Sequence, residues 1–150
     1  MEIINTNNLN QARKEIQQLK NNNQTIIVQA QDNIFNRKIL ENSEVNILLS
    51  PELHNRKDNL KQRDSGLNEI HCKLAKQNNI KIAIDLNKIQ KLPKKQKAII
   101  LSRIIQNIKL CKRTKTQIII FPKTKYKKLD VLSFFLTLKS STQQAKQASQ

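Results

Sequence analysis

Few side chains in this sequence are equipped for chemistry. His54 and His71 are its histidines, Cys72 and Cys111 its cysteines, and Asp32, Asp64, Asp85 and Asp130 the aspartates near the ends of apolar runs. A metal-dependent hydrolase built on a barrel uses a His-x-His pair with further His and Asp ligands, and that pair is absent. Mg²⁺ needs only oxygen ligands, so a carboxylate site among the aspartates stays open as one reading. The other reading gives Asp32 and Asp64 to helix N-termini, where a carboxylate accepts from free backbone N–H groups, and leaves Asp85 and Asp130 to pair with nearby lysines. No Ser-His-Asp or Cys-His spacing offers a nucleophile. His54 lies in a basic stretch where it could touch an anion, while His71 falls on a helix pattern, packed or solvated. Neither cysteine has a CxxC neighbour, so both read as reduced, buried thiols. Gly66 is the single glycine, which removes the P-loop and the dinucleotide fingerprint together.

What the chain does carry is positive charge. It has 28 Lys and Arg against 11 Asp and Glu, a formal charge of +17 over 150 residues. Drift toward A/T-rich coding enriches lysine, but it would enrich glutamate equally, so the shortage of acids needs another cause. A polyanionic partner is that cause, since solubility needs far less charge. The aromatics are Phe35, Phe121, Phe134, Phe135 and Tyr126, with no Trp. That set is poor for stacking unpaired bases and points instead to the backbone and shape of folded RNA. No apolar run approaches a membrane span, and Met1 opens onto Glu2 and not onto a basic signal region. A cytoplasmic protein without a membrane partner is expected.

Short β-branched runs at Glu2–Ile4, Thr25–Val28, Val45–Leu49, Ile80–Leu86 and Gln117–Phe121 predict strands. Between them lie helical stripes: Leu9, Ala12, Ile16 and Leu19; then Leu67, Ile70, Leu74 and Ala75; then Ala98, Leu101, Ile105 and Ile108, widened by Ile100, Ile104 and Cys111. Asp32 suits the start of a helix through Leu40, Asp64 or Ser65 the start of the next, and Pro93 a first turn. A last apolar helix covers Leu129 to Leu138. The expectation is one domain over 1–138 and a polar C-terminal tail over 139–150. Strands alternating with helices predict an α/β fold with a parallel sheet, and about five β/α units are too few for a closed eight-stranded barrel.

In such folds the segments leaving the carboxyl ends of the strands share one rim. The third strand is followed by His54, Arg56, Lys57, Lys61 and Arg63, the fourth by Lys88, Lys91, Lys94, Lys95 and Lys97, and the fifth by Lys123, Lys125, Lys127 and Lys128 around Tyr126. Each run alone reads as a solvated loop; a shared edge makes them a phosphate-binding surface.

Two stretches, Ile26 to Leu53 and Arg63 to Leu86, resemble archaeal ribonuclease P protein component 3, a relative of the thirty-kilodalton subunit of eukaryotic RNase P and RNase MRP. The residues that carry the resemblance are Asp32, Asn36 and Arg37, the strand end Val45 to Pro51, and the run Arg63, Asp64, Ser65, Gly66 and Leu67. Departures are Ser50 in place of the usual His, an apparent insertion at Asn55–Gln62, Pro122-Lys123-Thr124 in place of a Ser-Gly turn, and an apparently missing first β/α portion.

The resemblance implies an incomplete TIM-barrel-like, PHP-superfamily-like fold without that superfamily's metal site. It further implies a non-catalytic RNA-binding subunit that assists the ribonuclease P RNA in removing the 5′ leader of precursor tRNA. Hydrolysis belongs to the RNA with Mg²⁺, and the protein partners are a small RRM-like subunit and other RNase P proteins. Arg37, Arg56, Lys57, Lys61, Arg63, Lys123, Lys125 and Lys127 are the expected RNA contacts. The alternatives from other classes are a barrel-remnant metal-dependent hydrolase or phosphatase and a ribosomal-type RNA-binding protein.

Overall fold

The computed structural model describes residues 1–150. Five strands, β1 (Ile3–Ile4), β2 (Ile27–Gln29), β3 (Ile47–Leu49), β4 (Lys81–Asp85) and β5 (Ile118–Phe121), lie side by side in chain order, and every pairing is parallel. The helices are α1 (Leu9–Asn21), α2 (Asn33–Leu40), α3 (Glu69–Gln77), α4 (Leu86–Gln90), α5 (Lys94–Thr114), α6 (Lys128–Thr137) and α7 (Thr142–Ser149), with one 3₁₀ turn at Lys123–Lys125.

The alternation of strand side chains separates two faces. Val28, Leu48, Ile82, Ile84, Ile118 and Ile120 join the helix stripes in one core that includes Ala12 and Ile16 of α1, Ile39 of α2, Ala75 of α3 and Ile104 of α5. Ile27, Leu49 and Ala83 form a second, small cluster with Ile3, Ile47, Ile119 and Phe121, and no helix contributes to it. Helices on one face of a sequential parallel sheet are the arrangement of part of a barrel. The expected incomplete TIM-barrel-like fold is the fold observed.

Local chemistry explains most element ends. Asp32 caps α2, its carboxylate accepting from the Phe35 N–H at 2.8 Å, as expected. The start of α3 differs from the expectation: Asn68 caps it, accepting from the His71 N–H at 2.9 Å. Asp64 and Ser65 precede that cap and belong to tertiary contacts of the loop instead. The short α4, which the sequence pattern did not reveal, is capped by Asp85. With one glycine in the chain, Asn23, Asn79, Lys115 and Lys139 take the left-handed conformation that glycine usually takes after a helix. The polar segment 139–150 does not trail: Ser141 and Gln144 form a capping box, Ala145 and Ala148 are buried, and the Gln144 amide donates to the Ile108 carbonyl at 2.9 Å. Cys72 of α3 and Cys111 of α5 are both free and buried.

No helix is long and apolar enough to cross a membrane.

Candidate nucleic-acid interface

Parallel pairing puts the carboxyl ends of β2 to β5 on one rim, and side chains tie neighbouring segments of that rim together. Arg56 donates to the Gln31 carbonyl at 3.2 Å, linking the segment after β3 to that after β2. Lys88 donates to the Gln29 amide oxygen at 3.1 Å, linking α4 to β2. Lys125 and Tyr126 both donate to the Asn87 amide oxygen, Tyr126 at 2.9 Å, linking the segment after β5 to α4. Asn36 locks the turn after β2 by accepting from the Gln31 N–H at 2.7 Å and donating to its carbonyl at 3.2 Å. The three cationic segments therefore do share an edge.

The longest of them, residues 50–68, has no helix or strand of its own. Its ends meet where Gly66, at φ +79°, lies against the Pro51 backbone. Its centre is pinned from α5 by Arg103, which is 4% exposed. One terminal nitrogen of Arg103 donates to the carbonyls of Glu52 and His54 at 3.1 and 3.0 Å. The other donates to the Arg56 carbonyl at 3.1 Å and to Asp58 Oδ1 at 3.2 Å, and Nε also reaches Asp58 Oδ1 at 3.2 Å. All five N–H bonds of the guanidinium are thereby directed into the loop. The neighbouring Asn107, also buried, donates to the Ser65 carbonyl at 3.1 Å.

The loop's carboxylates are neutralised within it. Asp58 accepts from Arg63 at 2.8 Å and from the Asp64 N–H at 2.7 Å, and with Arg103 these contacts hold its carboxyl down at about 2. Burial acts upward on Asp64, but the Arg56 side chain at 3.0 Å and the Gly66 N–H outweigh it and hold its carboxyl below the ordinary value. His54 accepts the Arg56 N–H at Nδ1 and contacts the Asp64 carbonyl through Nε2 at 2.7 Å. Burial and the charges of Arg56 and Arg103 lower its pKa below the ordinary value, and both ring nitrogens are engaged within the loop. His71 is buried, not solvated, and burial lowers its pKa as well.

One acid remains apart. Glu52 is fully buried, neither carboxylate oxygen has a hydrogen-bond partner, and burial, reinforced by Asp85, pushes its pKa up to about 8. It is a neutral carboxylic acid at pH 7. Asp85 itself caps α4 and stands 4.0 Å from the Lys88 ammonium. Asp130 is exposed in the first turn of α6. No three His, Cys, Asp or Glu side chains converge to hold a metal ion.

The expected RNA contacts therefore separate into two kinds. Lys57, Lys61, Lys123 and Lys127 are exposed and form no ion pair, and Lys125 is exposed with only the Asn87 amide as partner. Arg56 and Arg63 are paired to Asp64 and Asp58, and Arg37 lies within α2, away from its N-terminal turn and paired to Glu41 at 3.1 Å. Arg103 and Asn107 were absent from the expected set. Their signal was present all the same, because both interrupt the apolar stripe Ile100, Ile104, Ile108 and Cys111 on the buried face of α5.

No family model matches the chain. Ribonuclease P protein component 3 of Methanococcus vannielii is 32% identical to it over 115 residues, covering 77% of this chain and 47% of that protein. The protein of the same description from Methanococcus maripaludis is 32% identical over 117 residues, covering 78% and 47%. A chain in the cryo-EM structure of archaeal ribonuclease P with mature tRNA superposes with a TM-score of 0.78 at 23% identity, over 97% of this chain and 62% of that one. The likeness to that structure is one of fold. The chain is thus a relative of ribonuclease P protein component 3, spanning about half the length of the curated relatives it matches.

Proposed function

We propose that this protein binds structured RNA through its cationic rim as a non-catalytic subunit of ribonuclease P, assisting removal of the 5′ leader from precursor tRNA. The observation that carries the reading is the coincidence of the two descriptions. The residues that carry the resemblance to ribonuclease P protein component 3 (Asp32, Asn36, Pro51, Gly66) help build the rim, and unpaired lysines crown it. Lysines at that edge neutralise phosphates as point charges, and their number gives affinity without base-sequence readout. In this reading the RNA performs the hydrolysis with Mg²⁺, and the protein binds no cofactor. The partners are the ribonuclease P RNA, precursor tRNA, a small RRM-like subunit and other RNase P proteins, in the cytoplasm.

The test is reconstitution. Precursor tRNA cleavage by the ribonuclease P RNA of Methanococcus maripaludis, together with its other protein subunits, is measured with and without this protein at limiting Mg²⁺. Stimulation of cleavage is expected, with no hydrolysis by the protein alone. Metal-dependent phosphatase or nuclease turnover by the protein alone, abolished by Asp32→Asn or Asp85→Asn, would replace the reading with a hydrolase. Selective recovery of ribosomal RNA from cells would replace it with a ribosomal role.

A further inference from the structure

Residues 50–68 pass over the rim without a ladder to satisfy their carbonyls, so something must fix their course. Arg103 takes that role by donating to the carbonyls of Glu52, His54 and Arg56, beginning in the turn over Ser50–Leu53 and continuing along the irregular stretch that follows it. It then grips the Asp58 carboxylate with two N–H groups, just before the chain bends at residues 60–62. Because Asp58 also holds Arg63, and Asp64 holds Arg56, the loop's two surface arginines and two aspartates cancel one another. Lys57 and Lys61, flanking Asp58 in sequence, are left exposed and unpaired.

We propose that Arg103 is a positioning residue for RNA binding: buried and without reach to the ligand, it sets the course of the loop so that Lys57 and Lys61 stand ready for adjacent phosphates. The inference rests on the RNA-binding reading above. A loop already held in one shape gives up no ordering entropy on binding, whereas a loose loop carrying the same charges must be ordered by the ligand. The planar fork with five donors is essential to this, because a lysine at the same place keeps the charge, but its three N–H donors cannot serve three carbonyls and the Asp58 carboxylate together.

The experiment measures affinity for a transcribed Methanococcus maripaludis ribonuclease P RNA across a salt series. It uses the wild type, Arg103→Lys, Lys57→Ala/Lys61→Ala, and the combination of all three changes. Arg103→Lys leaves the formal charge unchanged, yet it should lose about tenfold in affinity, the scale of one charge-assisted contact. The slope of log affinity against log salt should fall by about 0.7–0.9 for each phosphate no longer neutralised. In the Lys57→Ala/Lys61→Ala background the same change should do little more, because the groups it positions are gone. Wild-type affinity and slope in Arg103→Lys, or a full additive loss in the combination, would overturn the positioning role. Unchanged binding in Lys57→Ala/Lys61→Ala would instead remove the RNA reading of this loop. If Arg103→Lys does not fold, Arg103→Gln with Asp58→Asn, which leaves no buried charge unpaired, carries the same comparison.

Discussion

Gly66 packs directly against Pro51: a β-carbon built on Gly66 would stand 1.8 Å from the Pro51 carbonyl oxygen. The contact joins the two ends of the cationic loop, and it couples a backbone conformation at φ +79° to a separation that no side chain tolerates. Gly66→Ala should therefore cost upward of about 3 kcal/mol, combining left-handed strain with displacement of the Pro51 backbone. Chemical denaturation measures this, and a wild-type midpoint would show that the loop base yields freely.

The electrostatic account predicts a steep salt dependence. If Lys57, Lys61, Lys123, Lys125 and Lys127 each neutralise one phosphate, the slope of log affinity against log salt should be roughly −3.5 to −4.5. Titrations of a folded RNA from low to physiological salt provide the number. A nearly flat dependence would remove the lysines from the interface.

Arg56 and Arg63 are expected to behave differently from each other. Arg56 holds both Asp64 and the Gln31 carbonyl, so Arg56→Ala should lower stability by about 1–2 kcal/mol. Arg63 pairs with Asp58 near solvent, and Arg63→Ala should cost less than about 1 kcal/mol. Equal denaturation midpoints for wild type and Arg56→Ala would return Arg56 to the set of free surface cations.

Glu52 gives the fold a pH signature. Its pKa in the fold is about 8 against an ordinary value of 4.5, so the native state retains a proton that the unfolded chain releases. Stability is fully present below 4.5 and lost as pH rises through 8. His54 and His71, lowered from 6.5, act oppositely up to about 6.5, and Asp58 and Asp64 act below 3.8. Cys72, lowered from 9.0, also acts oppositely but does so in both proteins, so between pH 6.5 and 8 the wild type should lose stability relative to Glu52→Gln by ~1 kcal/mol per pH unit. Equilibrium unfolding at several pH values decides, and identical slopes in the two proteins would mean that Glu52 is ionised in the fold.

Reading the sequence recovered what local pattern encodes. β-Branched runs located the strands, even the two-residue β1, because strands buried on both faces read as continuous apolar runs. Asp32 was legible as a cap because its partner lies three residues away. Asp64 was misread by the same rule: its partners, Arg56 and the Gly66 N–H, belong to a loop whose shape depends on a distant helix. Arg56 and Arg63 looked like free cations for the same reason, since pairing within an irregular segment has no period. Arg103 reaches residues 45 to 51 positions upstream, beyond any local window, and only its intrusion into an apolar stripe marked it.

The strand order β1-β2-β3-β4-β5 means that each strand finds its neighbour in the one made just before it. During synthesis every β/α unit can dock as it leaves the ribosome, without waiting for distant sequence. The loop over 50–68 is the exception. Its carbonyls and Asp58 receive their partner only when α5 emerges, some fifty residues later, so the cationic loop takes its shape after the sheet beneath it has already assembled through β4.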